Sequence, residues 1–116
     1  MRRFPLDALA YEPMASGHRS LRLTRAVSWE AFPRYANAVL RALDGTVVEK
    51  VDSPVERVWC VVIGGNDYWL AFDDFGLGVD LSPRNDQANA ALEGVRLKLL
   101  EAAAGARRTA RPRTAP

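Results

Sequence analysis

Two apolar runs on either side of a glycine pair constrain the fold of this 116-residue chain more than any other feature. Residues 57–63 and 68–72 are rich in β-branched and aromatic side chains, which favour strands. The connection between them, Gly64-Gly65-Asn66-Asp67, consists of residues that accept the backbone angles of tight turns. The centre of the chain is therefore predicted to be a β-hairpin.

A turn followed by a further strand-like segment is found on each side of this hairpin. The β-branched residues of 46–52 precede Ser53 and Pro54, and residues 77–81 alternate between apolar and small or polar residues after the turn-forming segment 73–76. The segment 46–81 is therefore predicted to be an antiparallel meander of four strands. Leucines that alternate with polar residues over 18–26 predict one further strand with a solvated face.

Two other segments carry apolar residues at helical spacing. Ser28 is a suitable N-cap for the first helix, and Gly45 is expected to end it. Asp86 is the expected cap of the second helix, and Gly105 its expected end. The predicted order is β-α-β-β-β-β-α. The simplest packing is a two-layer α+β fold, in which a mostly antiparallel sheet of about five strands carries both helices on one face.

Composition changes at the two ends of the chain. Residues 1–18, broken by prolines, are predicted to form an irregular N-terminal arm, and residues 19–105 a single α+β domain. Residues 106–116 hold four arginines and no acidic residue, which predicts a disordered Arg-rich tail. Four of the 16 basic residues lie in this tail, so residues 1–105 hold 12 basic and 14 acidic side chains. The net charge of +2 is therefore a property of the tail.

Several classes of function are not expected. No apolar run approaches the ~20 residues of a membrane helix, and no apolar segment follows Arg2 and Arg3 as in a secretory signal. A cytoplasmic location is therefore expected. The single cysteine, Cys60, is expected to be a buried, inert thiol, and with the single histidine, His18, it cannot complete a Cys/His zinc site. No catalytic or phosphate-binding motif is present, so we expect no enzymatic activity, cofactor or metal.

The central strands carry apolar side chains on both faces, more than one layer of helices can cover. We expect Trp59, Val61, Trp69 and Ala71 to form an apolar strip on the face away from the helices. Exposed apolar strips of this kind mark interaction sites. Three covers are open: the N-terminal arm, a second copy in a homodimer, or a foreign partner or ligand.

Trp and Tyr are common anchors of protein interfaces. We therefore predict a protein-binding surface formed by Trp59, Tyr68 and Trp69 together with the acidic turn at Asp73 and Asp74. Acidic groups beside aromatic anchors suit a basic partner, such as a nuclease toxin. A homodimer is also expected.

Two alternatives stay open at this point. A pocket between the helices and the sheet, using Asp80 or Tyr35, would support a small-molecule-binding or enzymatic role. The arginine tail would contact nucleic acid through phosphates. Four arginines without interleaved aromatic residues make nucleic acid the less favoured partner.

Three strings carry a resemblance to known proteins: WEAFPRYA at 29–36, WCVV at 59–62 and YWLAFDDFG at 68–76. With them, the chain over residues 20–104 resembles small uncharacterised bacterial α+β proteins. It is also similar in style to the immunity proteins of bacterial toxin systems. This resemblance implies a role in binding without catalysis, and it implies no particular functional residues.

Overall fold

The computed structural model describes residue 6, residues 9–73 and residues 78–110, with side chains up to residue 104. Six strands and two helices follow one another in these ranges. They are β1 (Ala10–Pro13), β2 (Arg19–Thr24), α1 (Phe32–Leu43), β3 (Thr46–Asp52), β4 (Glu56–Ile63), β5 (Asn66–Asp73), β6 (Gly78–Pro83) and α2 (Asp86–Ala110).

The central hairpin of β4 and β5 forms as predicted, with a shorter connection. Ile63 pairs with Asn66, so the loop consists of Gly64 and Gly65 alone. Both glycines have positive φ, +59° and +79°, which is typical of the two-residue turns that match strand twist. Because the loop has two residues rather than four, Asn66 and Asp67 belong to β5.

All neighbouring strands are antiparallel, in the spatial order β1-β2-β6-β5-β4-β3. The predicted meander over β3 to β6 is confirmed. The sheet has six strands rather than about five, because β1 lies within the segment predicted to be an irregular arm and pairs with β2. Residues 1–5, 7 and 8 of that arm lie outside the described residues.

Both helices cover the same face of the sheet. The ring of Phe32 in α1 meets the ring of Trp59 edge-on at 5.2 Å, and Tyr68 in β5 donates a hydrogen bond to the carbonyl of Ala88 in α2. One apolar core fills the space between the layers, and its fully buried members include Leu21, Leu43, Leu70, Leu81, Leu92 and Leu99. The two-layer α+β arrangement is therefore confirmed.

The first helix starts slightly later than its cap suggests. Ser28 Oγ accepts a hydrogen bond from the Ala31 amide at 3.2 Å, but helical structure begins only at Phe32. Pro33 explains the delay, because proline has no amide hydrogen and fits a helix only in its first turn.

The second helix differs at both ends from its prediction. Asn85 Oδ1, not Asp86, accepts the capping hydrogen bond, from the Ala88 amide at 2.8 Å. The helix passes Gly105 and continues to Ala110, because the alanines and arginines around that glycine are strong helix formers that offset its cost of about 1 kcal/mol. Residues 111–116 of the predicted tail lie outside the described residues.

Candidate functional site on the open face of the sheet

The strand register sorts the apolar side chains of the central hairpin onto two faces. Trp59 lies opposite Leu70, and Cys60 lies opposite Trp69. Because side chains alternate along a strand, Trp59 and Leu70 face the helices while Cys60 and Trp69 face away from them. We call the face that neither helix covers the open face. Its apolar centre consists of Val58, Cys60, Val62, Trp69 and Ala71.

Trp59 does not belong to the open face. Its side chain is 1% exposed beneath α1, and the ammonium of Lys50 lies 4.3 Å from the centre of its ring. The expectation that Trp59 and Val61 share a strip with Trp69 and Ala71 is therefore wrong. The physical reason is the alternation of side chains across the hairpin: Trp59 shares a face with its opposite residue Leu70, and Trp69 shares the other face with its opposite residue Cys60.

Tyr68 also lies in the core. It is fully buried, and its hydroxyl donates a hydrogen bond of 3.0 Å to the carbonyl oxygen of Ala88. Burial raises the pKa of Tyr68. The hydroxyl therefore joins β5 to α2, and of the three predicted aromatic anchors Trp69 alone lies on the open face.

Trp69 is the exposed aromatic side chain among the described residues, at 36%. Cys60 and Ser82 lie beside it on the neighbouring strands. The guanidinium carbon of Arg84 lies 5.1 Å from the centre of its ring, which is within cation–π range. Cys60, expected to be buried, is half-buried next to this indole.

Acidic side chains surround the apolar centre of the open face. Asp73 is half-buried and lies opposite Glu56, whereas Asp74 lies outside the described residues. Two basic groups lie on this face: Arg22 on β2 and the guanidinium of Arg84 beside Trp69. The acidic residues on the same face are Glu12, Glu49, Glu56, Asp67, Asp73 and Asp80.

Asp80 lies in a polar cluster on this face. It is opposite Arg22, which is 5% exposed and donates a 2.6 Å hydrogen bond to Glu12 Oε1. Burial raises the pKa of Asp80 to about 6, even though Arg22 acts to lower it; the charges of Glu12 and Asp73 add to the rise. The negative charge of the open face therefore changes as the pH passes through this value.

A separate cleft of about 380 Å³ lies on the other side of the sheet, between the end of α1, the β4–β5 turn and α2. Neither Asp80 nor Tyr35 lines it. Asp80 is on the open face, and Tyr35 is buried in the core. The cleft is lined by Leu43, Asp44, Ile63, Gly64, Asn66, Tyr68, Ala91, Gly94, Val95 and Lys98.

The single histidine, His18, contacts the start of α2. His18 Nε2 lies 2.7 Å from Asp86 Oδ1, a contact between the start of β2 and α2 that the sequence pattern did not indicate. Among the described residues, no three His, Cys, Asp or Glu side chains are grouped so that they could hold a metal ion.

Val58, Cys60 and Val62 belong to the open face, although they were not among the predicted site residues. The signal that identifies them was present in the glycine pair. A Gly-Gly loop of two residues fixes which residues of the two strands lie opposite one another, and that register puts Val58 opposite Ala71 and Cys60 opposite Trp69.

Neither α1 nor α2, over the part of each that the structure describes, has the length and hydrophobicity to cross a membrane. Neither a curated protein nor a solved structure matches the chain. Residues 9–100 match a family model described as "Protein of unknown function (DUF3630)". The match begins just before β1, ends within α2 and includes the whole open face. The chain therefore belongs to the DUF3630 family.

Proposed function

We propose that this domain binds a partner protein through the open face of its sheet, without catalysis, and that Trp69 is the anchor. The observation that carries the proposal is the 36% exposure of Trp69 beside half-buried apolar side chains. The other two tryptophans lie on the helix side, where Trp59 is in the core and Trp29 packs under the guanidinium of Arg57 at 3.7 Å. A partner that covers an exposed indole gains a large contact area at little entropic cost.

The charge of the open face defines the chemistry of the partner. Six acidic side chains share this face with the guanidinium groups of Arg22 and Arg84. The face therefore carries an excess of negative charge, and a basic segment would be attracted to it over long range. An apolar side chain within that segment would pack against Trp69. This combination suits an immunity-type or regulatory protein whose target is basic, such as a nuclease toxin.

The remaining alternatives stay predictions. A small-molecule-binding or enzymatic role has one described cleft available, beside Lys98, which neither Asp80 nor Tyr35 lines. A nucleic-acid contact would have to use the arginine tail, most of which lies outside the described residues. The cytoplasmic location also stays a prediction.

The proposal is tested by isothermal titration calorimetry of the full chain with two synthetic peptides, one of alternating Lys and Leu and one of alternating Glu and Leu. We expect the basic peptide to bind more tightly, with an affinity that falls as salt is added. Trp69→Ala should weaken its binding by about tenfold or more, as expected for an interface anchor. Trp29→Ala is the matched control and should leave the affinity unchanged, because Trp29 lies on the helix side of the domain.

Two results would count against the proposal. One is equal affinity for the two peptides, which would remove the role of the acidic side chains. The other is an unchanged affinity of Trp69→Ala for the basic peptide, which would mean that the peptide binds elsewhere.

A further inference from the structure

β3 forms one edge of the sheet, and no described strand pairs with its outer side. An unpaired edge presents backbone amide and carbonyl groups that can accept another strand. Two valines on this strand are strongly exposed, Val48 at 68% and Val51 at 55%. Natural edge strands more commonly carry charged residues or proline at such positions.

The second half of β3 is regular enough to define an interface. A bulge interrupts its pairing with β4 between Val47 and Glu49, but residues 49–52 pair with residues 60–57 without a break. Val51 lies opposite Val58 and therefore on the open face. Lys50 and Asp52 lie on the opposite face, towards the helices.

We propose that β3 pairs antiparallel with β3 of a second copy of this chain, about a twofold axis that passes through Val51 at right angles to the sheet. A residue that precedes Val51 by a given number of positions in one copy then lies opposite the residue that follows Val51 by the same number in the other copy. Lys50 faces the partner's Asp52, and Asp52 faces the partner's Lys50. Each half of the interface therefore contains one pair of opposite charges on the helix side of the sheet.

The charge pattern selects this register over its neighbours. An axis through Lys50 would place that lysine opposite the partner's Lys50, and an axis through Glu49 would place two glutamates opposite each other. An axis through Asp52 would likewise oppose two aspartates. Like charges directly opposite one another destabilise a strand pair, so Val51 is the one centre within residues 49–52 that avoids them.

Pairing in this register also covers exposed apolar surface. Val51 packs against the partner's Val51 on the open face, and Val58 lies directly beside it on β4. The two sheets become one continuous sheet of twelve strands, twice the six of a single chain. This surface is separate from Trp69, so the inference goes beyond the proposed function and does not depend on it.

Sedimentation velocity of the purified full chain over a range of concentrations tests the dimer. Lys50→Asp turns both attractive pairs into repulsive ones and should raise the dimer dissociation constant by about tenfold or more. Combining it with Asp52→Lys restores opposite charges across the interface and should restore much of the dimerisation, although it removes the 3.8 Å ion pair between Asp52 and Arg57 of the same chain. Lys98→Asp, an equivalent charge change on an exposed residue of α2, should have no effect. Circular dichroism confirms that each variant is folded.

Disulfide crosslinking tests the register itself. In a Cys60→Ser background, Val51→Cys should give a covalent dimer on mild oxidation, because residues directly opposite in an antiparallel pair have Cα atoms roughly 4.5–5.5 Å apart, within disulfide range. Val48→Cys is more exposed but should not crosslink, because the two copies of this residue would be roughly 20 Å apart along the strands.

The inference is overturned if the chain sediments as a monomer at every concentration. It is also overturned if it is a dimer that Lys50→Asp leaves intact, or one that Val48→Cys crosslinks as well as Val51→Cys does. Trp69→Ala should leave the dimer unchanged. Loss of the dimer in that variant would place the contact on the open face instead of the β3 edge.

Discussion

Asp80 should destabilise the folded protein at neutral pH. Its carboxyl group lies next to Arg22 on the open face, yet burial raises its pKa from 3.8 to about 6. The folded state therefore retains a proton on Asp80 at pH values where the unfolded chain has already lost it. The contribution of Asp80 to the free energy of unfolding therefore falls as the pH rises from about 4 to about 6, and it stays at the lower value above that range.

The size of the effect follows from the shift in pKa. A rise of about two units corresponds to roughly 3 kcal/mol of differential stability. Water reaches part of the Asp80 side chain and reduces this figure, so we expect about 2 kcal/mol. Asp80→Asn has nearly the same shape and does not titrate. It should therefore become more stable relative to the natural protein as the pH rises from 4 to 7.

Urea unfolding of both proteins at pH 4, 5, 6 and 7 measures this difference. We expect the stability of Asp80→Asn relative to the natural chain to increase by about 2 kcal/mol over the series, with most of the change below pH 6.5. The groups that face Asp80, namely Arg22, Glu12 and Asp73, are present in both proteins.

The opposite trend would refute the reasoning. If Asp80→Asn loses stability relative to the natural chain as the pH rises, the attraction between Asp80 and Arg22 outweighs the loss of hydration. Asp80 would then be a stabilising ion-pair partner of Arg22, with a pKa below 3.8.

Two further predictions concern the fold. Trp59→Ala should cost about 3–5 kcal/mol of stability, because Trp59 is sealed in the core. Trp69→Ala should cost less, about 1–2 kcal/mol, because about a third of its surface is exposed. Equal losses in urea unfolding would contradict the assignment of the two faces. Gly78→Ala should cost about 3 kcal/mol or more, because φ is +78° and the added methyl carbon would lie 2.1 Å from the Thr24 carbonyl oxygen. Gly64→Ala, at φ +59° with open space around it, should cost only about 1 kcal/mol. Similar melting temperatures for the two glycine variants would show that β2 and β6 do not approach so closely.

Local patterns predicted most elements correctly. Alternation and β-branched residues identified β2 to β6, and helical spacing identified α1 and α2, because these periodicities follow from the backbone geometry of each element. β1 was not predicted, because prediction relied on local periodicity and this strand has almost none. It has four residues, ends in Pro13 and becomes a strand only through its pairing with β2, so its own sequence contains little strand signal.

The candidate site was predicted less well than the fold. Trp69 and Asp73 lie on the open face, but Trp59 and Tyr68 point into the core. A hairpin loop of either two or four residues places Trp59 and Trp69 on opposite faces, because only a shift of one residue moves side chains to the other face. The prediction grouped the two tryptophans without applying this alternation across the hairpin, which the observed pairs Trp59–Leu70 and Cys60–Trp69 show.

The sequence by itself determined the class of fold, the order of its main elements and the excess of apolar side chains on the central strands. Tertiary structure alone decided which face the helices cover, and therefore that Trp59 is core and Trp69 is surface. It also decided that β3 ends the sheet and that Asp80 loses its hydration beside Arg22. These properties depend on residues that are distant in the chain and meet only when the strands pair, so no local pattern specifies them.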